Sequence, residues 1–460
     1  MRIFPVFLLL TATGTALAAG LDPFGTAAIT PPAPSPQVAG RQGDAPCARE
    51  IPGGPLSAID AVDLTLCNNP QTREVWAAAR YQAAQVGVVQ AAWLPNLDGS
   101  LGASRYRNDG RYYNVSSAAL TLSWLVFDSG ARSANGENAR QLLAAAAATQ
   151  DATVQSLFLS ALQVFYTAQA TRAAVVSTTE AERAAREGFN AAESRYNVGV
   201  ATPADRLLAQ TALSQATLTR IKAEGDARNA LGALANVMGF KAGQALALEP
   251  PSAELPGSDF QREVAALIAE AEIRRPDLKA AAAQVKAAQA SVDLVQAQGR
   301  PTISLSTGPT WAETDRVSVN GGVIGVTVNV PIFTGLDTTY RVRAAEAQVD
   351  VKNAQLESLR NQVALDVWKA YQSLTTATQS LKTTVDLVAS AEQSERVALG
   401  RYKAGVGTVL DLLTAQSALA SARLQRIQAA LDWFVFRATL AQSVGALDYT
   451  LLQPAAEGTP

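Results

Sequence analysis

The chain has 460 residues, 48% of them hydrophobic and 17% charged, with a formal net charge of -2, two cysteines and no histidine. Without histidine there is no Ser-His-Asp or Cys-His catalytic constellation and no imidazole metal site, and two cysteines are too few for a thiolate zinc or iron-sulfur centre, so no catalytic or metal residue is assigned. The near-neutral charge leaves no basic footprint for nucleic acid.

In chain order, residues 1–18 read as a secretory signal peptide: Arg2, the apolar stretch Ile3 to Leu10, then small residues ending in Ala16-Leu17-Ala18. That apolar core is far shorter than the roughly 20 residues a spanning helix needs. No cysteine follows the cleavage point closely, so an acylated lipoprotein terminus is not indicated. Residues 19–56 hold Pro23, Pro31, Pro32, Pro34, Pro36, Pro46, Pro52 and Pro55, the composition of an irregular arm. Cys47 and Cys67 belong to an exported chain, where a disulfide is permitted; free thiols fit the spacing equally. No later apolar run is long enough to span a bilayer as a helix.

From residue 57 onward one unit is written twice. Pro70 and Pro276, Pro95 and Pro301, and Phe127 and Phe333 are each 206 positions apart. The same shift lays Arg195-Tyr196-Asn197-Val198-Gly199 on Arg401-Tyr402-Lys403-Ala404-Gly405, and Asp205 on Asp411. Repeats over 57–248 and 263–447 follow, joined by a linker at 249–262 and ended by a tail at 448–460.

Each repeat opens with an alanine-rich helix, predicted at 71–92 and 277–298. A β-hairpin follows, at 97–127 and 302–333. In its second strand Leu120, Leu122, Trp124 and Val126 alternate with Thr121, Ser123 and Leu125; in the copy Val326, Val328, Val330 and Ile332 alternate with Thr327, Asn329 and Pro331. The turns are read at Asn108-Asp109-Gly110 and Asn320-Gly321-Gly322. Segments of about ten residues cross a bilayer when tilted, and they also suit a soluble half-buried hairpin. Next come proline-free stretches at 131–196 and 338–402, each on the order of 100 Å long if helical throughout. Val342, Val349, Leu356 and Val363 recur every seven residues, as do Leu374, Leu381 and Val388, a coiled-coil seam. Return helices are predicted at 203–237 and 409–444.

Four strands make an open sheet with two bare edges, which lipid does not tolerate. If the strands are transmembrane, several chains must share one barrel. Two copies give a barrel of eight strands, largely filled by its own side chains, whereas three give twelve and a lumen.

The duplicated arrangement, Val126-Phe127-Asp128-Ser129-Gly130 and Ile332-Phe333-Thr334-Gly335 at the strand-to-helix joints, and the RYNVG and RYKAG turns together resemble the TolC family of bacterial outer membrane factors. The resemblance spans about 57–447. It implies a mixed α and β fold in which a homotrimer builds a transmembrane β-barrel from four strands per chain and a long α-helical coiled-coil barrel. It further implies a passive export channel in the outer membrane, reaching into the periplasm, for type I protein secretion or small-molecule efflux. Its partners would be an inner membrane transporter of ABC or RND type, a periplasmic adaptor and outer membrane lipid, with no cofactor. The rival from another class is a periplasmic coiled-coil structural or adhesion protein without channel activity.

Thr202-Pro203-Ala204-Asp205 and Thr408-Val409-Leu410-Asp411 each match a helix start in which the acid caps the first turn. The same acids repeated about a three-fold axis would ring a pore. By resemblance, Asp411 falls at a carboxylate constriction of the periplasmic entrance, with Thr414 where some members carry a second acid. Asp205 and Tyr402 fall at a latch of the closed tip, from which a basic partner is missing at Gly407. Tyr196, Gly199, Gly405 and Gly407 are first of all turn residues; the resemblance makes those turns adaptor contacts as well. Trp93, Trp124 and Trp311 suit either packing or the lipid interface.

Overall fold

The computed structural model describes residues 22–33, 50–250, 263–315 and 317–447. The signal segment, most of the Pro-rich arm, residues 251–262 of the linker and the tail lie outside the described residues. In order the elements are α1 (Ala58–Asn68), α2 (Pro70–Ala91), β1 (Asn96–Asn108), β2 (Arg111–Phe127), α3 (Ala131–Asn197), α4 (Pro203–Val237), α5 (Val264–Arg274), α6 (Pro276–Gln298), β3 (Thr302–Thr314), β4 (Ser318–Asn329), α7 (Asp337–Lys403) and α8 (Val409–Val444). No described helix is long and apolar enough to cross a membrane.

Local chemistry sets these limits. Pro70, Pro203 and Pro276 each open a helix, where the missing N–H costs nothing. Ser57 and Asp60 form a reciprocal capping box at the start of α1. The two 67-residue helices α3 and α7 contain no proline. The short helices α1 and α5 lack an expectation from sequence, because their faces are set by tertiary packing.

The four strands form one antiparallel sheet in the order β1-β2-β3-β4. Asp109 and Gly110, at φ 46° and 76°, make the tight first turn with both central residues left-handed. The second turn departs from its expected place. The chain reverses between Thr314 and Ser318, where the Thr314 N–H donates to the Val317 carbonyl at 2.8 Å. Asn320, Gly321 and Gly322 instead lie within β4, opposite Trp311, Thr310 and Pro309. The fourth strand is also shorter than expected. The apolar alternation runs on to Ile332, but the ladder stops at Asn329 opposite Thr302, short of Pro331 on one side and Pro301 on the other, neither of which has an N–H to donate.

The chain divides into two compact units. The first draws on residues 22–31, 75–149 and 277–358 and contains the sheet. Its strand-to-helix joint is fastened by Asp128, whose carboxylate accepts from the Arg132 backbone N–H at 2.7 Å and from its guanidinium at 3.0 Å. The guanidinium also lies 4.2 Å from the Trp93 ring, and the Trp124 indole donates to the Trp93 carbonyl at 3.0 Å.

The second unit draws on 32–33, 50–74, 150–250, 263–276 and 359–447. Leu56 pairs in parallel with Leu248, and beneath this bridge α1 buries Ala61 and Leu64 against Phe165 and Ala168 of α3 and Leu234 of α4. Its other side buries Val62 and Leu66 against Leu157, Phe158 and Leu162 of α3 and Ala438 of α8. Cys67 is buried and disulfide-bonded; Cys47 lies outside the described residues.

The long helix pairs are held differently. Between α3 and α4, the buried Glu182 accepts from the Arg186 guanidinium at 2.9 Å and the Thr217 hydroxyl at 3.0 Å, and pairs with Arg220, which also pairs with Glu224. Its counterpart 206 positions on is Val388, which packs with Ala391 and Ala422 between α7 and α8; there the ion pair is a single one, Arg423 with Glu392 at 2.9 Å. Of the expected seam, Val363, Leu374, Leu381 and Val388 are buried, while Val342, Val349 and Leu356 are half-buried.

Candidate functional site

Two features of the chain carry functional chemistry: the tips of the helical hairpins, in the second unit, and the two faces of the sheet, in the first.

Each long helix ends in a Schellman motif. Gly199 donates to the Tyr196 carbonyl and Val200 to the Arg195 carbonyl, both at 2.9 Å; Gly405 donates to Tyr402 and Val406 to Arg401, at 3.1 and 3.0 Å. The φ values of 80° and 81° at Gly199 and Gly405 explain the residue type there. Gly407 is glycine for a different reason. A Cβ there would lie 3.1 Å from the Arg401 Cβ and the Tyr402 backbone nitrogen.

The return helices start in capping boxes. The Thr202 hydroxyl accepts from the Asp205 N–H at 3.2 Å while the Asp205 carboxylate accepts from the Thr202 N–H at 3.0 Å and hydroxyl at 2.8 Å. Thr408 and Asp411 repeat this, with backbone bonds of 3.2 and 3.1 Å. Both carboxyls are held below the usual 3.8, Asp205 chiefly by the Thr202 N–H and Asp411 chiefly by the Thr408 hydroxyl. A carboxyl with a depressed folded value contributes to stability above its unfolded value and loses that contribution as pH falls through the folded one. Exchange at the Asp205 and Asp411 amides, corrected for intrinsic rate, is therefore expected to stay constant from neutral pH to about 5 and to rise only below the carboxylate range. Acceleration between pH 7 and 5 would contradict the caps.

Side chains join the two hairpins: Gln416 donates from Nε2 to the Ala184 carbonyl at 3.2 Å, and nearer the tips Arg195 reaches across. Arg195 donates from Nη1 to the Tyr402 carbonyl at 2.8 Å, and its guanidinium lies 5.0 Å from the Tyr402 ring. Tyr402 is buried with Ala192, Ala209, Val409 and Leu412, and its hydroxyl has no hydrogen-bond partner among the described residues. Burial pushes that phenol up, partly offset by Arg195. Asp205 and Tyr402 thus share Arg195 as a neighbouring charge, while the Asp205 carboxylate bonds to Thr202. Arg195 was not among the candidates drawn from sequence, although it opens the RYNVG motif. Arg206 pairs with Glu193 at 3.5 Å and lies 5.7 Å from the Tyr196 ring. Around the turns Val198, Val200, Val406 and Leu410 are exposed.

The register separates the sheet into two chemical faces. On one, Trp124, Leu305 and Val326 form a row; Leu97, Leu122, Thr307 and Ile324 form the next; Leu101, Ala118 and Trp311 form another. On the opposite face the matching rows are Asp98 and Thr121; Ser123, Ser306 and Gly325; Ala119, Thr310 and Gly321; and Gly102, Ser117, Ala312 and Val319, with Val323 beside Gly308. The apolar face runs from Ile303 to Trp311, about 26 Å along the strand. Its leucines are open to the surroundings, Leu97 at 69% and Leu101 at 70% exposure. The free edges of β1 and β4 have no partner strand among the described residues.

The sequence matches the family described as outer membrane efflux protein over residues 61–240 and 267–446. Protein CyaE of Bordetella pertussis is 34% identical over 384 residues, covering 81% of this chain and 80% of that protein. Outer membrane protein TolC of Escherichia coli is 23% identical over 407 residues, covering 83% and 80%. Among solved structures, the outer membrane protein VceC of Vibrio cholerae superposes with a TM-score of 0.74 at 20% identity, over 84% of this chain and 96% of that one.

Proposed function

We propose that this chain, which belongs to the outer membrane efflux protein family, is the homotrimeric exit duct of a tripartite exporter. The family places it in the outer membrane, extending into the periplasm, as a passive channel and not an enzyme. The observation that carries the finer reading is the two-faced sheet with bare edges. Such a sheet needs lipid on one side and water on the other, and its edges must pair with other copies. Three copies give twelve strands around a lumen lined by the small Ser, Thr and Gly residues. Val342, Val349 and Leu356, half-buried by their own chain, are suited to helices of neighbouring copies.

The energy source and the cargo choice lie elsewhere. An inner membrane transporter of ABC or RND type would drive export, and a periplasmic adaptor would engage the turns at Tyr196, Gly199, Gly405 and Gly407, beside exposed Val198, Val200 and Val406. A luminal face made mostly of hydroxyls and glycines, with Val319 and Val323 among them, offers little to bind, so one conduit suits secreted polypeptides and small molecules alike, and the transporter selects between them. Asp411 is exposed and makes no ion pair among the described residues, which supports a ring of charge at the entrance. Asp205 and Tyr402 belong to the closed tip, with Arg195 as a tether between hairpins at that tip.

Protein extracted from outer membranes is expected to give low-conductance channels in planar bilayers, and Arg195→Gln to raise that conductance by a few fold, since one charged bond between hairpins is worth about 1.5–3 kcal/mol. A total lack of current from the wild type would overturn the duct. Unchanged conductance in the variant would remove Arg195 from the closed tip.

A further inference from the structure

The side of the sheet that meets lipid does not end at its last leucine. Following β1 outward from Leu101 on the same face, the next side chains are Ala103, Arg105 and Arg107; on β2 the same face passes from Ala118 through Ser116 and Asn114 to Tyr112, which pairs directly with Arg107. The helices leave the sheet at its other end, so these residues stand at the extracellular rim. Arg105 begins about 13 Å along the strand beyond Leu101, in the zone where headgroups replace hydrocarbon.

Both guanidiniums lie against one aromatic ring. Arg105 lies 4.8 Å and Arg107 5.5 Å from the same Tyr112 ring. Both arginines are exposed, and among the described residues neither forms an ion pair with a carboxylate. The acids of that rim are Asp109 in the turn, Glu313 level with Ala103 two strands away, and Asp315, which accepts from the Asn114 backbone N–H at 3.0 Å and side-chain amide at 3.3 Å. Two like charges held at one aromatic ring, without a carboxylate ion pair among the described residues, suit an anion with several acceptor oxygens. Tyr106 and Tyr113 stack on the opposite face, with ring centres 5.5 Å apart.

We propose that Arg105 and Arg107, braced by Tyr112, bind the phosphate groups of outer-leaflet lipid headgroups. This rests on the barrel reading above, because the site has a lipid partner only if the apolar face is in a membrane. Basic side chains at a membrane surface attract anionic headgroups, and a guanidinium offers phosphate a paired set of donors.

The test uses the full oligomer in nanodiscs, with bis-phosphorylated lipid A and its dephosphorylated form as probes and bound lipid counted by native mass spectrometry. The wild type is expected to retain the phosphorylated form about tenfold better than the other. Arg105→Gln combined with Arg107→Gln should abolish that preference, while Arg111→Gln, at the same rim but on the opposite face, should preserve it. A double variant that keeps the preference, or an Arg111→Gln variant that loses it, would overturn the site. So would dissociation of the oligomer in the double variant, which would assign the arginines to the seam between copies. Mass and current of the same wild-type samples separate the two readings: an intact conducting oligomer with no phosphate preference sinks the site alone, whereas absence of oligomer and current sinks both.

Discussion

Leu122→Arg is expected to abolish insertion of the protein into the outer membrane, while Ser123→Arg, its neighbour, leaves assembly intact. Leu122 sits in the central row of the apolar face with Leu97 and Ile324, and Ser123 faces the other way beside Ser306. An arginine held on the lipid side near the bilayer midplane costs about 2–4 kcal/mol. The proposed trimer would carry the substitution in every chain, and about 2–4 kcal/mol per chain is a large share of the roughly 5–15 kcal/mol that holds a folded chain together. On the luminal side the same residue meets water, where its effect is on ion selectivity. The measurement is the amount of heat-modifiable oligomer recovered from outer membranes for each variant. Equal recovery of Leu122→Arg and wild type, or loss of Ser123→Arg, would show that the apolar face does not meet lipid.

The second large effect is expected of Asp411→Asn. The Thr408 hydroxyl accepts from the backbone N–H of residue 411, a bond that the asparagine variant keeps, so the helix start remains formed. What is lost is a charge that the depressed pKa of Asp411 keeps in place throughout the neutral range. In the proposed trimer three such charges would stand close together and attract multivalent cations strongly, so their removal should weaken block by such cations on the order of tenfold and raise conductance. Single-channel recording with and without the blocking ion measures both. Identical block in variant and wild type would leave Asp411 as a helix cap with no part in the pore.

The helical architecture was largely legible because its signals are local and repeated. Proline at positions 70, 203 and 276, threonine at 202 and 408 and glycine at 199 and 405 each fix a helix end through their own backbone chemistry, and the 206-residue shift gives two chances to read each one. The second hairpin turn was misread because glycines are ambiguous. Gly321 and Gly322 serve close packing within a strand, whereas the constant shift carries Asn108–Arg111 onto Thr314–Val317, where the chain does turn. Short α1 and α5 were missed for another reason. Their buried faces are chosen by partners more than a hundred residues away, as Leu64 is by Phe165 and Leu234.

The site was legible in part. Asp205 and Asp411 stand out through a spacing rule, but the reach of Arg195 to a carbonyl 207 residues away has no local signature. Likewise the exchange of Glu182 for Val388 across the repeat is visible in the letters, yet only the packing shows that Glu182 centres an ionic network while Val388 lies in an apolar contact, with the ion pair of that second helix pair falling instead on Glu392 and Arg423. The faces of the sheet lie between these cases. Period-two alternation marks an apolar side on each strand separately, and the register shows that all four strands turn it the same way.

Everything functional depends on four strands being too few to close by themselves. The number of chains in the particle extracted from outer membranes, counted by native mass spectrometry in detergent, tests this most directly. Three chains that separate only on heating are expected; a stable single chain, with the edges of β1 and β4 left bare, would contradict the shared barrel.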